Sequence, residues 1–181
     1  MELHMSKKEG SLRLLTLGEL RLARSVFGNA IRYHTVWIHH DSYLPFGLQF
    51  DNYVMSPNGE IYFREWYRDD FSTKEADLQH LFIHEMMHVW QRERGMQVFL
   101  RGLYSWRADY GYRLDGRKLA QYPLEQQAQI VADHFILETY GLRKWIELKT
   151  AGVVTLKNVV QYEEELMSLY KVALRNFPTG L

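Results

Sequence analysis

Residues 81–95 read LFIHEMMHVWQRERG, with His84 and His88 four apart and Glu85 directly after the first. On a helix, residues four apart lie one turn apart on the same face. Both imidazoles can then point at a single cation. Glu85 is turned roughly 100° from His84, so it flanks such an ion instead of binding it. From there it can take a proton from a water the ion activates. On the same wheel Phe82, Ile83, Met86, Met87, Val89 and Trp90 form the opposed face, so one helix serves both a core and a metal. His80 lies one turn before His84. Three successive turns of a straight helix converge poorly on one tetrahedral ion, so His80 reads as a rim residue. Glu93 falls on the opposite face and is excluded as a ligand.

A catalytic zinc takes three protein ligands and leaves one position open. The extended motif that supplies the third from the same helix needs glycine at 91 and histidine at 94. The chain has Gln91 and Arg94 there, so the third ligand comes from elsewhere. The segment YPLEQQAQIVADHF, 122–135, offers one. Glu125, Ala128, Gln129 and Ala132 share a helix face, and the two alanines permit the close helix approach that a carboxylate ligand needs. Glu125 is the leading candidate, with Asp133 and His134 as alternatives. His134 lies opposite Glu125 on the wheel, so the two cannot serve together. Gln91, Gln129 and Asp133 are candidates for orienting the ligands from behind. Tyr110, Tyr112 and His80 are candidates for stabilising an oxyanion.

These residues need elements to hold them. The pattern predicts a first helix over 17–27, ended by Gly28, and a strand over 34–40. Two apolar runs around Pro57-Asn58-Gly59 predict a hairpin. Ser72 to Glu75 fits a capping box that starts the histidine helix, which Gly95 can stop. A short helix is expected over 97–106 and a second hairpin around Asp115-Gly116. Pro123 can open a helix running to about Tyr140, with Gly141 at its end. A long amphipathic helix is expected over 155–176. The class is α+β: mostly helical, with a small antiparallel sheet or hairpins packed on the histidine helix.

The chain has 181 residues, 46% hydrophobic, with 22 basic and 22 acidic side chains. That composition suits one domain with a substantial core. Zero net charge gives no reason to expect nucleic acid as a partner. No apolar run is long enough for membrane insertion. The chain lacks cysteine, which removes disulfides, thiolate ligands and cysteine nucleophiles and leaves nitrogen and oxygen to hold any metal. No basic-then-apolar leader opens the sequence. The first residues, MELHM, read as a cloning scar over 1–5, with one domain over 6–181.

HEMMHVWQ, the YPLEQQAQIVADHF segment and the preceding MSPNGEIYF resemble zincin-like metallopeptidase domains. More narrowly, they resemble the metallopeptidase effector domains at the C-terminal end of some VgrG spike proteins of the bacterial type VI secretion system. The resemblance runs from about Leu15 to Leu142. It implies a zinc metallopeptidase with His84, His88 and Glu125 as ligands and Glu85 as catalytic base. It implies a toxin secreted with the rest of a VgrG spike chain and acting on protein or peptide in the target cell's periplasm. In such folds substrate commonly adds to a sheet edge, here expected at Ile61–Arg64. An immunity protein is an expected partner, with WRADYGYRL, 106–114, and the C-terminal helix as its contact surfaces. The alternatives are a zinc amide hydrolase of peptidoglycan cross-links, or a non-enzymatic binding domain whose structural metal is closed by His80 or His134.

Overall fold

The structure, a computed structural model, describes residues 9–49, 51, 54–98 and 109–180. Three short strands, β1 (Ser11–Leu14), β2 (Trp37–His40) and β3 (Ile61–Phe63), form one sheet in that order. The described helices are α1 (Leu17–Phe27), α2 (Ala76–Glu93), α3 (Leu124–Thr150) and α4 (Glu163–Ala173). The short helix predicted over 97–106, apart from Gln97 and Val98, and the stretch 1–5 expected to be a cloning scar lie outside the described residues.

The class is α+β as expected, but the sheet is mixed. β1 pairs with β2 antiparallel, whereas β2 pairs with β3 parallel. The 20-residue connection between them is long enough for the return crossing that a parallel pair requires. The predicted hairpin around Pro57-Asn58-Gly59 shrinks to one antiparallel bridge, Met55 to Tyr62. Pro57 has no N–H to extend the ladder. β1 was not anticipated. Its four residues alternate in exposure, leaving Leu12 and Leu14 outside.

α1 keeps its predicted bounds. Thr16 caps it through a reciprocal box with Glu19. Glu19 is fully buried, yet its carboxylate is saturated. Arg13 grips both oxygens at 2.7 and 2.8 Å, and the backbone N–H groups of Thr16 and Phe71 complete it. Removing one partner of such a pair typically costs about 3–5 kcal/mol. The pair fixes the chain's entry into α2.

α2 starts three residues later than the capping box predicts, with Glu75 and not Ser72 at its N-cap. Ser72 lies inside a 3-10 turn over Phe71–Thr73 that is capped by Asp70, whose carboxylate accepts from the Ser72 N–H and hydroxyl, so the chain reaches α2 only after this turn. Phe82, Ile83, Met86 and Trp90 are fully buried, each contributing about 1.5–3 kcal/mol of transfer free energy. α2 makes its most extensive helix contact with α3, where Ala128 and Ala132 are fully buried.

α3 begins after Pro123 and continues past Tyr140, but Gly141 adopts φ 77°, ψ 174° inside it. The predicted stop is thus a break that the chain resumes beyond. The second hairpin does not form. Tyr112 instead bridges Leu156 in parallel, and Leu114 exchanges hydrogen bonds with Asn158. This pairing holds 155–158 extended and delays α4 to Glu163. A long-range ladder here overrides the local helical pattern. Tyr112 and Leu114 are buried and belong to the core, while Asp109 and Arg113 of the same stretch are exposed.

Candidate metal centre

His84 and His88 come from α2 and Glu125 from the first turn of α3. One ligand-capable atom from each lies within 4.8 Å of the others. Glu125 Oε2 is 3.3 Å from His84 Nε2 and 3.2 Å from His88 Nε2. Charge-assisted hydrogen bonds of this kind usually close to about 2.7–2.9 Å. The three groups are therefore held near one another by their helices, with a gap between them.

The histidine side of α2 is buried too, with His84, Glu85 and His88 only 5–7% exposed. α3, the 54–57 segment and the 152–155 turn enclose it in a cleft of about 570 Å3. Val54, Met55, Leu78, Leu81 and Val98 supply apolar walls around the converging polar groups.

His88 is oriented by a chain of amides. Its Nδ1 lies 2.8 Å from Gln91 Oε1. Gln91 in turn donates to Leu124 O and Gln127 Oε1, each at 3.0 Å, and Gln127 donates to Tyr122 O at 2.8 Å. Each amide nitrogen is spent, so Gln91 must present its oxygen and His88 must carry a proton on Nδ1. That leaves Nε2 facing Glu125 and the gap. Burial opposes charge on His88, but the Glu125 carboxylate outweighs it, with Glu85 and Gln91 adding, and pushes its pKa up to about 9. Burial likewise opposes charge on Glu125. His88, with hydrogen bonds from both histidines, holds that carboxyl well below the usual range.

Behind the first turn of α2 lies a second polar cluster built on Asp133, which is fully buried. Its Oδ1 lies 2.7 Å from His80 Nε2 and accepts from Gln129 at 2.9 Å. Its Oδ2 accepts from Tyr112 at 2.8 Å and from Thr155 N at 3.1 Å. Asp133 is thereby spent on these partners and is not brought to the His84–His88 gap. His134 faces elsewhere, 3.5 Å from Glu138 with its ring against Tyr170. Neither alternative third ligand joins the histidines.

Tyr112 is also withdrawn from the cleft. Its hydroxyl is shared between Asp133 and Tyr170, at 2.8 and 2.7 Å. It buttresses His80 from behind and presents no donor to the cleft. Tyr110 does line the cleft, its ring 5.9 Å from that of His84 and its carbonyl held by Thr155 Oγ1 at 2.8 Å. Glu93 caps the Arg32 backbone N–H on the far side of the helix.

The expected substrate edge at Ile61–Arg64 is taken. Met55 exchanges two backbone hydrogen bonds with Tyr62, and the Gln49 amide donates to the Tyr62 carbonyl. Two contributors went unread in the sequence. Gln127 completes the amide chain, and Ser56 donates to Glu85 Oε2 at 2.7 Å. The Gln127 position four before Val131 on α3 hinted at an inward face; Ser56 carried no local signal.

No family model matches the chain. It is 39% identical over 177 residues to the type VI secretion system spike protein VgrG2b of Pseudomonas aeruginosa, a match covering 93% of this chain and 15% of that protein. The chain thus spans a small part of this relative's length. It also superposes on the solved effector domain of Pseudomonas aeruginosa VgrG2b with a TM-score of 0.63 and 36% identity, covering 86% of this chain and 89% of that one. The likeness therefore extends across an isolated domain almost end to end, and the chain belongs to the family of VgrG2b effector domains.

Proposed function

We propose that this domain is a zinc-dependent metallopeptidase of zincin-like architecture, carried by a type VI spike chain as a toxin for the periplasm of a target cell. The observation that carries the reading is the spacing around Glu125. Donors on a tetrahedral zinc, at bond lengths of about 2.0–2.1 Å, stand about 3.3–3.4 Å apart. Glu125 Oε2 stands 3.3 and 3.2 Å from the two histidine nitrogens. Two imidazoles and a carboxylate are a donor set suited to zinc. His84, His88 and Glu125 would hold the ion through those atoms.

A bound zinc supplies Lewis acidity toward a water and the scissile carbonyl. The chain's own residues do the rest. Glu85 takes the proton of the attacking water and passes it to the departing amine. Gln91 keeps His88 in the tautomer that leaves Nε2 unprotonated. His80, steadied by Asp133, and Tyr110 line the cleft and are the candidates for stabilising the developing oxyanion. The burial of His84, Glu85 and His88 limits bulk water around these charges.

A structural, four-ligand metal is the competing class. His80 is committed to Asp133 and His134 faces away, which supports a three-ligand site. Remaining partners in this reading are the rest of a spike chain and a neutralising immunity protein. Among the described residues no helix is long and apolar enough to cross a membrane.

The test is to incubate the zinc-loaded domain with a panel of proteins and with purified sacculi. New amino termini in the proteins, absent after chelation, are expected. Release of cross-link peptides from sacculi alone would move the substrate to peptidoglycan. Cleavage of neither would remove the peptidase reading.

A further inference from the structure

We infer that Ser56 is a positioning residue for the catalytic base, holding Glu85 by one carboxylate oxygen so that the other faces the reacting water. The inference rests on the proposed role of Glu85. Ser56 Oγ donates to Glu85 Oε2 at 2.7 Å, and both side chains are about 5% exposed. They meet across 29 residues of sequence, from different elements.

Ser56 is held from both sides. Met55, before it, is tied to Tyr62 by two backbone hydrogen bonds of 3.2 and 2.8 Å. Pro57, after it, restricts Ser56 to extended backbone. The turn that follows is closed by Asn58, whose oxygen accepts from Glu60 N and whose amide donates to the Tyr62 hydroxyl. The serine thus belongs to a segment clamped onto β3, and its hydroxyl reaches a glutamate fixed on α2. The catalytic carboxylate is located by two independent parts of the fold.

The choice of a hydroxyl has a chemical consequence. A carboxylate that takes up a proton on Oε1 keeps Oε2 as a carbonyl acceptor. The Ser56 hydrogen bond therefore persists before and after proton transfer. It fixes the orientation of Glu85 through the step without occupying the oxygen that reacts. A basic side chain at position 56 would instead bind the ionised form alone and oppose the transfer. Serine, a neutral donor, does not.

The experiment compares wild type, Ser56→Ala, Ser56→Thr and Glu85→Gln. In Ser56→Ala, kcat should fall about tenfold with KM, zinc content and melting temperature unchanged, as expected for an effect confined to the transition state. Ser56→Thr, which keeps the hydroxyl, should recover most of the loss. Crystal structures of the metal-free proteins give a readout independent of activity. Glu85 should occupy one rotamer in wild type and Ser56→Thr, and more than one in Ser56→Ala. Unchanged kcat and an unchanged single Glu85 rotamer in Ser56→Ala would overturn the inference while Glu85→Gln remained inactive. Full activity in Glu85→Gln would instead overturn the assignment of the base.

Discussion

Two depressions flank α3, and both contain histidine and glutamate. The larger, about 1310 Å3, runs between α3 and α4 and is lined by His134, Glu138, Glu163, Glu164 and Lys171 among others. The smaller, about 570 Å3, contains His84, His88, Glu85 and Glu125. In the larger groove the ionisable groups are spread along two helices, and His134 meets Glu138, one turn away, and the ring of Tyr170. In the smaller cleft three donors from two helices converge, and among the described residues they are the group able to hold an ion. Burial lowers the pKa of His134, whereas Glu125 outweighs burial at His88 and raises it. Volume therefore does not single out the candidate site; convergence of oriented donors does.

That contrast can be broken by substitution. Glu85→Gln should give the largest effect, lowering kcat about 10²–10⁴-fold, with zinc content by elemental analysis unchanged. Glu125→Ala should weaken zinc binding by more than the roughly 10–100-fold typical of an outer hydrogen-bond partner, measured by chelator competition. Gln91→Ala should fall within that roughly 10–100-fold range, because His88 keeps its place but loses the acceptor that fixes its tautomer. His134→Ala should be smallest, leaving zinc affinity and kcat within about twofold, as for substitutions away from such features. If His134→Ala cost as much as Glu125→Ala, the two grooves would have to exchange roles.

The histidine helix was legible because its information is local. Histidine spacing and the apolar face lie within one element, with Gly95 just past its end, and helical periodicity reads them directly. Glu125 was legible at one remove, through Ala128 and Ala132 beside it. What the pattern missed was long-range. β1 is only four residues, too short for alternation to stand out. The helical pattern over 155–162 was overridden by pairing with 112–114, which no local rule contains. Tyr112 read as a cleft donor until Asp133 and Tyr170 claimed its hydroxyl. Ser56 sits in a turn where serine is ordinary, and only the fold brings it to Glu85.

The comparison of the two grooves also explains why α3 is long. Its first turn carries Glu125 to the histidines, its next turns pack alanines on α2, and its later turns present His134 and Glu138 to α4. One helix thus separates a face with converging donors from a face turned to α4. A substitution at Ala128 or Ala132 should disturb the first through helix spacing without touching any ligand.

The most direct measurement is elemental analysis combined with X-ray absorption on the purified domain. The expected result is one zinc per chain, bound by two imidazoles, one carboxylate and one exchangeable light ligand, with the carboxylate lost in Glu125→Ala. Four protein ligands and no exchangeable position, or a zinc shell unaltered in Glu125→Ala, would contradict it.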